Sequence, residues 1–105
     1  MIRNLIVLIA VVMLSACGAE SKWASEEAVQ AARFVSDEPP SITLYTVVNV
    51  RSGAGAHTGL LINASERVIF DPAGTWGLPR LPERNDVHFG MSDRMMLFYI
   101  DYHAR

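Results

Sequence analysis

Cysteine is almost absent from this chain, which has 105 residues and one cysteine, Cys17. A single thiol excludes a disulfide within the chain and a zinc site made of several thiolates. Clusters of like charge are also missing, because nine Lys and Arg and eleven Asp and Glu are scattered along the sequence. Nucleic-acid-binding domains carry a basic patch, so we expect no nucleic-acid partner.

Long apolar runs are missing as well. The longest, Leu5 to Leu14, is shorter than the roughly 17–25 apolar residues that a transmembrane helix needs. It follows the basic residue Arg3 and precedes the small residues Ser15 and Ala16. A basic start, an apolar stretch of about 7–15 residues and small residues at the end are typical of a cleaved secretory signal. The alternative is an N-terminal helix buried in a cytosolic protein.

Cys17 follows this apolar run directly, in Leu14-Ser15-Ala16-Cys17. This segment resembles the lipobox of bacterial lipoproteins, in which the signal is cut before the cysteine and the cysteine is acylated. The resemblance implies that residues 1–16 are the signal and that lipid on Cys17 anchors the protein to the membrane. Gly18 stands where an aspartate would favour the inner membrane, which points to the outer membrane, facing the periplasm. An ordinary cleaved signal with a chance cysteine is the alternative.

Beyond the signal, the sequence predicts a lipidated tether over residues 17–24 and one small α+β domain over residues 25–105. Removing residues 1–16 from 105 leaves 89, enough for one such domain. Arg3 is the only basic residue removed, so eight Lys and Arg stand against eleven Asp and Glu, a formal charge of −3. A domain of this size without disulfides depends on its hydrophobic core alone.

Sequence patterns predict a short helix, a three-stranded antiparallel sheet, a long loop and a C-terminal helix, in that order. Ser25 is the expected N-cap of the short helix, and Pro39 follows its end. The i, i+3, i+4, i+7 spacing of apolar residues predicts its buried face as Ala28, Ala31, Ala32 and Val35. Residues 42–50 are apolar on both alternating faces, which favours a central strand.

The second half of the domain is predicted from turns and caps. Residues 59–62 and 68–70 are short apolar runs that the intervening loop joins into a hairpin. Residues 75–90, which include Trp76, are predicted to be a long loop. Ser92 is the expected N-cap of the last helix, which runs to Ile100. Its apolar residues lie on nearly every side, so we expect other elements to cover it widely.

The hairpin predicts a contact between His57 and Asp71. If the loop is centred on Ser65, the numbers of paired residues sum to 130, and the two side chains lie on one face as diagonal neighbours. Their backbones are then about 7–8 Å apart, within reach of long side chains. An aspartate that holds a histidine fixes its tautomer and raises its basicity. The alternative is a strand-end histidine and a turn-forming aspartate before Pro72.

The segment from His57 to Gly74 resembles the histidine hairpin of permuted papain-like proteins of the NlpC/P60 superfamily, which includes the lecithin:retinol acyltransferase-like branch. The resemblance implies that His57 is the catalytic base and that Asp71 is a third polar residue. In that family a nucleophilic cysteine follows the histidine in sequence. No cysteine follows His57 here, and the lipobox resemblance assigns Cys17 to lipid. The resemblance therefore implies a truncated papain-like half-domain or an inactive remnant.

Other motifs are weaker. Gly53, Gly55 and Gly59 match neither phosphate-binding loop, because the lysine of one and a glycine at position 58 of the other are missing. No serine has a nucleophile motif such as G-x-S-x-G. Metal ligands are available but show no zinc-binding spacing, so we interpret them as exposed loop residues and expect no metal or other cofactor. These potential ligands are His57, His88, His103, Asp71 and Asp86.

Three hypotheses of function follow. The first is an envelope lipoprotein that carries half of a papain-like domain and has no peptidase or acyltransferase activity as it stands. The second is a binding or structural module whose Trp76 loop contacts a protein or a cell-wall component. The third is an enzyme with His57 as base, whose cysteine lies in a segment downstream of Arg105.

Overall fold

The fold is α+β, as predicted, in a computed structural model that describes residues 1–15, 22–73, 76 and 81–104. In these residues the helices are α1 (Ile2–Ser15), α2 (Glu26–Ala32) and α3 (Asp93–His103). The strands are β1 (Ser41–Val48), β2 (Gly55–Asn63), β3 (Arg67–Phe70), β4 (Glu83–Arg84) and β5 (Val87–Phe89). They form one antiparallel sheet in the order β1-β2-β3-β5-β4.

The prediction of three strands is wrong, because β4 and β5 lie inside the segment predicted as a loop. These two strands are joined by Asn85 and Asp86, whose φ angles are 44° and 70°. Two consecutive positive φ angles belong to the tight turn that matches the twist of a β-hairpin, and Asn and Asp tolerate them better than most residues. The pair Asn85-Asp86 is thus a hairpin signal, but the prolines around it favoured the prediction of a loop.

The hairpin of β2 and β3 has the predicted register. Leu60 pairs with Phe70 and Asn63 with Arg67, so the paired numbers sum to 130. The loop is therefore centred on Ser65, and the inward faces of the two strands alternate as expected. Leu61 and Ile69 are both buried on the face that α3 covers.

Strand β1 lies at the edge of the sheet, which corrects its prediction as a central strand. It pairs with β2 only. One face of β1 contributes Tyr45 to the packing against the core. On the other face Ile42 and Leu44 are 72% and 65% exposed. A strand that is apolar on both faces is usually covered on both, but no described element covers this second face.

Both predicted caps are present, but the buried helix faces differ from the prediction. Ser25 Oγ accepts a hydrogen bond from the Ala28 amide at 3.1 Å, and Ser92 Oγ accepts one from the Met95 amide at 3.3 Å. Helix α2 ends at Ala32, so a face that extends to Val35 cannot form.

Within α2 the buried residue is Val29, whereas Ala28 and Ala31 are exposed and Ala32 is half-buried. Val35, which lies beyond the helix, is also exposed. Helix α3 buries Met96 and Tyr99 but leaves Leu97 69% exposed, so the expected wide covering of α3 is also wrong. The core lies between α3 and one sheet face and consists of Leu61, Ile69, Trp76, Met91, Met96 and Tyr99.

The N-terminal region is described in part. Within the described residues, no helix has the length and apolarity to cross a membrane. Cys17, Gly18 and most of the predicted tether lie outside the described residues. The last three tether residues pair with β4: the Ala24 amide donates to the Glu83 carbonyl at 2.9 Å, and the Asn85 amide donates to the Lys22 carbonyl at 3.0 Å. These residues are therefore joined to the sheet.

Candidate functional site

The structure brings His57 and Asp71 together, as the hairpin register predicted. His57 lies near the start of β2, and Asp71 directly follows β3. His57 Nε2 is 2.8 Å from Asp71 Oδ2. The 130-sum register places the two residues diagonally on one sheet face, so the turn at Ser65 is what makes this contact possible.

Asp71 is completely buried, and its carboxylate accepts hydrogen bonds from three groups. Besides His57, the Tyr99 hydroxyl donates to Oδ2 at 2.9 Å and the Ala73 amide donates to Oδ1 at 3.0 Å. The Asp71 amide in turn donates to the Asp86 carbonyl at 2.9 Å. A buried carboxylate needs such donors to replace lost hydration. Asp71 is therefore held in one orientation by the backbone and by α3.

These contacts determine which nitrogen of His57 acts as the base. An ionised carboxylate only accepts hydrogen bonds, so His57 Nε2 carries the proton of the contact. In the neutral imidazole Nδ1 then bears the lone pair and is the atom that accepts a proton. The His57 side chain is 19% exposed, so it combines a fixed orientation with partial access to solvent.

His103, in the last turn of α3, completes the cluster. Its ring stacks on His57 with centroids 4.7 Å apart and planes 5° apart. His103 Nδ1 is 3.1 Å from the Tyr99 carbonyl oxygen, and Nε2 is 3.6 Å from Asp71 Oδ2. The sequence analysis named His103 only as a potential metal ligand, although the four-residue spacing of Tyr99 and His103 places them on one helix face.

Tyr99 connects the site to the core, and no sequence pattern indicated a role for it in the site. Its ring is 2% exposed and packs edge-on against Trp76, with centroids 5.0 Å apart. Burial raises the pKa of the Tyr99 hydroxyl well above its usual range, and the hydrogen bond to Asp71 and the charge of Asp71 raise it further. Tyr99 therefore stays a protonated donor to Asp71. Trp76 itself is only 3% exposed and belongs to the core.

The interpretation of the potential metal ligands as exposed loop residues is wrong for the three histidines, which lie in β2, β5 and α3, and for Asp71, which is buried. Only part of this set comes together. The potential ligand atoms of His57, Asp71 and His103 all lie within 4.8 Å of one another. His88 is buried on β5, 6.1 Å from Trp76 between ring centroids, and Asp86 is in the turn between β4 and β5. The clustering of three of the five was not visible in the sequence because His103 lies 32 positions after Asp71, on another element.

A cavity of about 730 Å³ lies beside the cluster. It is bounded by the C-terminal half of β1, the start of β2 and the end of α3. Tyr99, His103 and Ala56, the residue before His57, contribute to its wall. A small ligand of this volume would therefore contact the cluster from the side of His103.

Comparison with protein-family models, with curated proteins and with solved structures finds no match to this chain.

The burial of Tyr99 predicts a loss of stability at alkaline pH. The ordinary tyrosine pKa is about 10, and the pKa of Tyr99 in the folded protein is higher. Because the unfolded chain ionises first, this group's stabilisation is complete below pH ~10 and declines as the pH rises above that value. Urea unfolding between pH 8 and 11 should show this decline. In Tyr99→Phe the decline should be shallower; equal slopes in the two proteins would contradict the prediction.

Proposed function

We propose that this chain is a lipid-anchored protein of the bacterial cell envelope that carries the base half of a papain-like site. In this proposal His57 is the base and Asp71 orients it, but the chain by itself hydrolyses no peptide or amide. The observation that carries the proposal is the 2.8 Å contact between His57 Nε2 and the buried Asp71, which leaves Nδ1 as the basic atom.

The chemistry of cysteine–histidine enzymes supports this assignment. In such enzymes one imidazole nitrogen takes the proton of the thiol, and the other is held by a polar side chain that fixes the tautomer. His57 and Asp71 supply the second of these arrangements. The first needs a thiol, and Cys17 is the only one in the sequence. The lipobox resemblance assigns that thiol to an acyl chain, so it cannot serve as the nucleophile.

The base assignment is tested by the tautomer of His57. We expect nitrogen-correlated NMR of the full chain in detergent micelles, at a pH at which the imidazole is neutral, to show Nε2 protonated and Nδ1 unprotonated. Asp71→Asn should weaken this preference, while the exposed-site control Asp37→Asn should leave it unchanged. A proton on Nδ1 in the unmodified protein would overturn the assignment of Nδ1 as the base.

The absence of hydrolysis is tested separately with the same protein. Peptides and N-acyl amides should show no turnover above that of vesicles without protein. If the protein cleaved these substrates and His57→Ala abolished the cleavage, the proposal that the chain lacks hydrolytic activity would be wrong.

The anchor is tested by metabolic labelling with palmitate in a bacterial host. We expect the unmodified protein to carry the label in the membrane fraction. Cys17→Ser should remove the label, because serine offers no sulfur for the thioether to diacylglycerol. His57→Ala, which leaves the signal unchanged, is the matched control and should keep it. Label that persists in Cys17→Ser would overturn the lipoprotein assignment, whatever the state of His57.

A second candidate is a complete papain-like hydrolase or acyltransferase whose cysteine is supplied from outside residues 1–105. The cavity of about 730 Å³ beside His103 favours it, since an acyl or peptide group could enter there. Sequencing the gene past the codon for Arg105 tests it. A following segment with a cysteine at the start of a helix would favour this candidate, and a stop codon would exclude it for a segment of the same chain.

A further inference from the structure

Two electron-rich atoms face each other at the centre of the cluster. The Tyr99 carbonyl oxygen only accepts, so His103 Nδ1, 3.1 Å away, carries the proton of their hydrogen bond. In neutral His103 the lone pair is then on Nε2, 3.6 Å from Asp71 Oδ2. Two lone pairs facing each other are unfavourable next to a fully buried carboxylate unless a proton or a metal ion lies between the two atoms.

We propose that His57, Asp71 and His103 bind a divalent transition-metal ion, with zinc as the ion that the ligands fit best. Two imidazoles and one carboxylate form a ligand set that zinc accepts together with one open position. Imidazole ligands favour transition metals over Mg²⁺ and Ca²⁺, which prefer oxygen.

The distances in the cluster are close to those of such a site. Ligands about 2.0–2.1 Å from zinc in a tetrahedral arrangement are separated from one another by roughly 3.3 Å. The distances from Asp71 Oδ2 to Nε2 of His57 and of His103 are 2.8 and 3.6 Å, and all three ligand atoms lie within 4.8 Å. Small side-chain rotations would therefore bring the three atoms around one ion.

The surrounding hydrogen bonds are those that orient metal ligands in proteins. Metal-binding histidines usually donate their other N–H to a carbonyl or carboxylate, and ligating carboxylates are themselves hydrogen-bonded. His103 Nδ1 donates to the Tyr99 carbonyl. Asp71 accepts from the Tyr99 hydroxyl and the Ala73 amide. Two of the three ligands are thus held in place before any ion arrives.

His57 has to change its tautomer when the metal binds. Without metal, its Nε2 carries the proton donated to Asp71. The metal replaces that proton at Nε2, the imidazole takes the Nδ1–H tautomer, and the ring turns out of its parallel stack with His103. Since Nδ1 then carries a proton, bound metal would block its use as a base. This consequence rests on the proposed function, whereas metal binding itself does not.

The test is a calorimetric titration of the full chain in detergent with zinc chloride alone. We expect one zinc ion per chain. Removing a ligand in His57→Ala or His103→Ala should weaken binding by about 100-fold or more, because loss of even an outer-shell partner of a metal ligand costs about 10–100-fold. His88→Gln is the matched control, because His88 lies outside the cluster. The zinc affinity of this variant should equal that of the unmodified protein. Cys17→Ser should also keep the affinity.

A folding defect is separated from ligand loss by a second readout. Zinc should raise the Tm of the unmodified protein. His103→Gln keeps a long polar side chain at the helix end, so its far-UV circular dichroism should match that of the unmodified protein, but zinc should not raise its Tm. No zinc binding by the full chain, or binding unaffected by both His57→Ala and His103→Ala, would overturn the proposal. The metal-free tautomer of His57, measured by NMR, reports on the proposed function independently.

Discussion

Gly59→Ala is expected to destabilise the domain by about 3 kcal/mol. A Cβ at position 59 would collide with the Tyr99 hydroxyl and lie 3.0 Å from Tyr99 Cζ. Tyr99 is 2% exposed and packs edge-on against Trp76, so moving its ring would disturb the core packing. Overpacking a core costs about 1–3 kcal/mol, and loss of the buried Tyr99–Asp71 hydrogen bond adds about 1–3 kcal/mol.

Gly55→Ala is the matched control for this prediction. Gly55 lies on the same strand, and a Cβ there would meet only Thr46 Cγ2, at 3.7 Å, an ordinary contact. Both substitutions remove the conformational freedom of one glycine, so their difference isolates the collision with Tyr99. Urea unfolding should place Gly55→Ala within about 1 kcal/mol of the unmodified protein. Equal stabilities of the two variants would contradict the prediction.

A double-mutant cycle identifies the atom responsible. Tyr99→Phe removes the hydroxyl that the new Cβ would meet first. Gly59→Ala should therefore cost less in the Tyr99→Phe background than in the unmodified protein, with a coupling of about 1 kcal/mol or more. An additive cycle would show that the effect of Gly59→Ala does not pass through the Tyr99 hydroxyl.

Asp71→Ala is the second substitution with a large expected effect, also about 3 kcal/mol or more. It leaves three donors without their acceptor, namely His57 Nε2, the Tyr99 hydroxyl and the Ala73 amide. An unsatisfied buried polar group costs about 1–3 kcal/mol, and Asp71 is fully buried, so water cannot readily replace it. Urea unfolding measures the loss, and the exposed-site control Asp37→Ala should change stability by no more than about 0.5 kcal/mol.

Asp71→Asn should separate packing from charge. The amide has nearly the same shape and keeps one acceptor oxygen, but it cannot accept from all three donors. Its stability should therefore fall between those of the unmodified protein and Asp71→Ala. If both Asp71→Asn and Asp71→Ala were as stable as the unmodified protein, the hydrogen bonds of the carboxylate would not stabilise the domain.

The His57–Asp71 pair shows how far sequence reasoning reached into the site. One hairpin loop and the two-residue period of a strand were sufficient to predict that the side chains share a sheet face. Tyr99 and His103 were not predicted to join this pair because they belong to α3, and no local rule states which face of α3 packs against β2. Their spacing was visible in the sequence, whereas the element opposite them was not.

The sheet shows the same division. The Asn85-Asp86 turn is a local signal and predicts a hairpin once it is recognised. The edge position of β1 is different, because its apolar residues on both faces are equally consistent with a central strand. Only the absence of pairing on its second side, among the described strands, settled its place.

By itself, the sequence of this protein determined the helix caps at Ser25 and Ser92, the register of the β2–β3 hairpin and the pairing of His57 with Asp71. These features depend on hydrogen bonds and turn geometry within short stretches of chain. The tertiary structure decided the burial of Trp76, the contact of His103 with His57 and Asp71, and the exposure of one face of β1. Those features depend on which distant element covers a surface, because burial is a property of the assembled fold and not of any one segment.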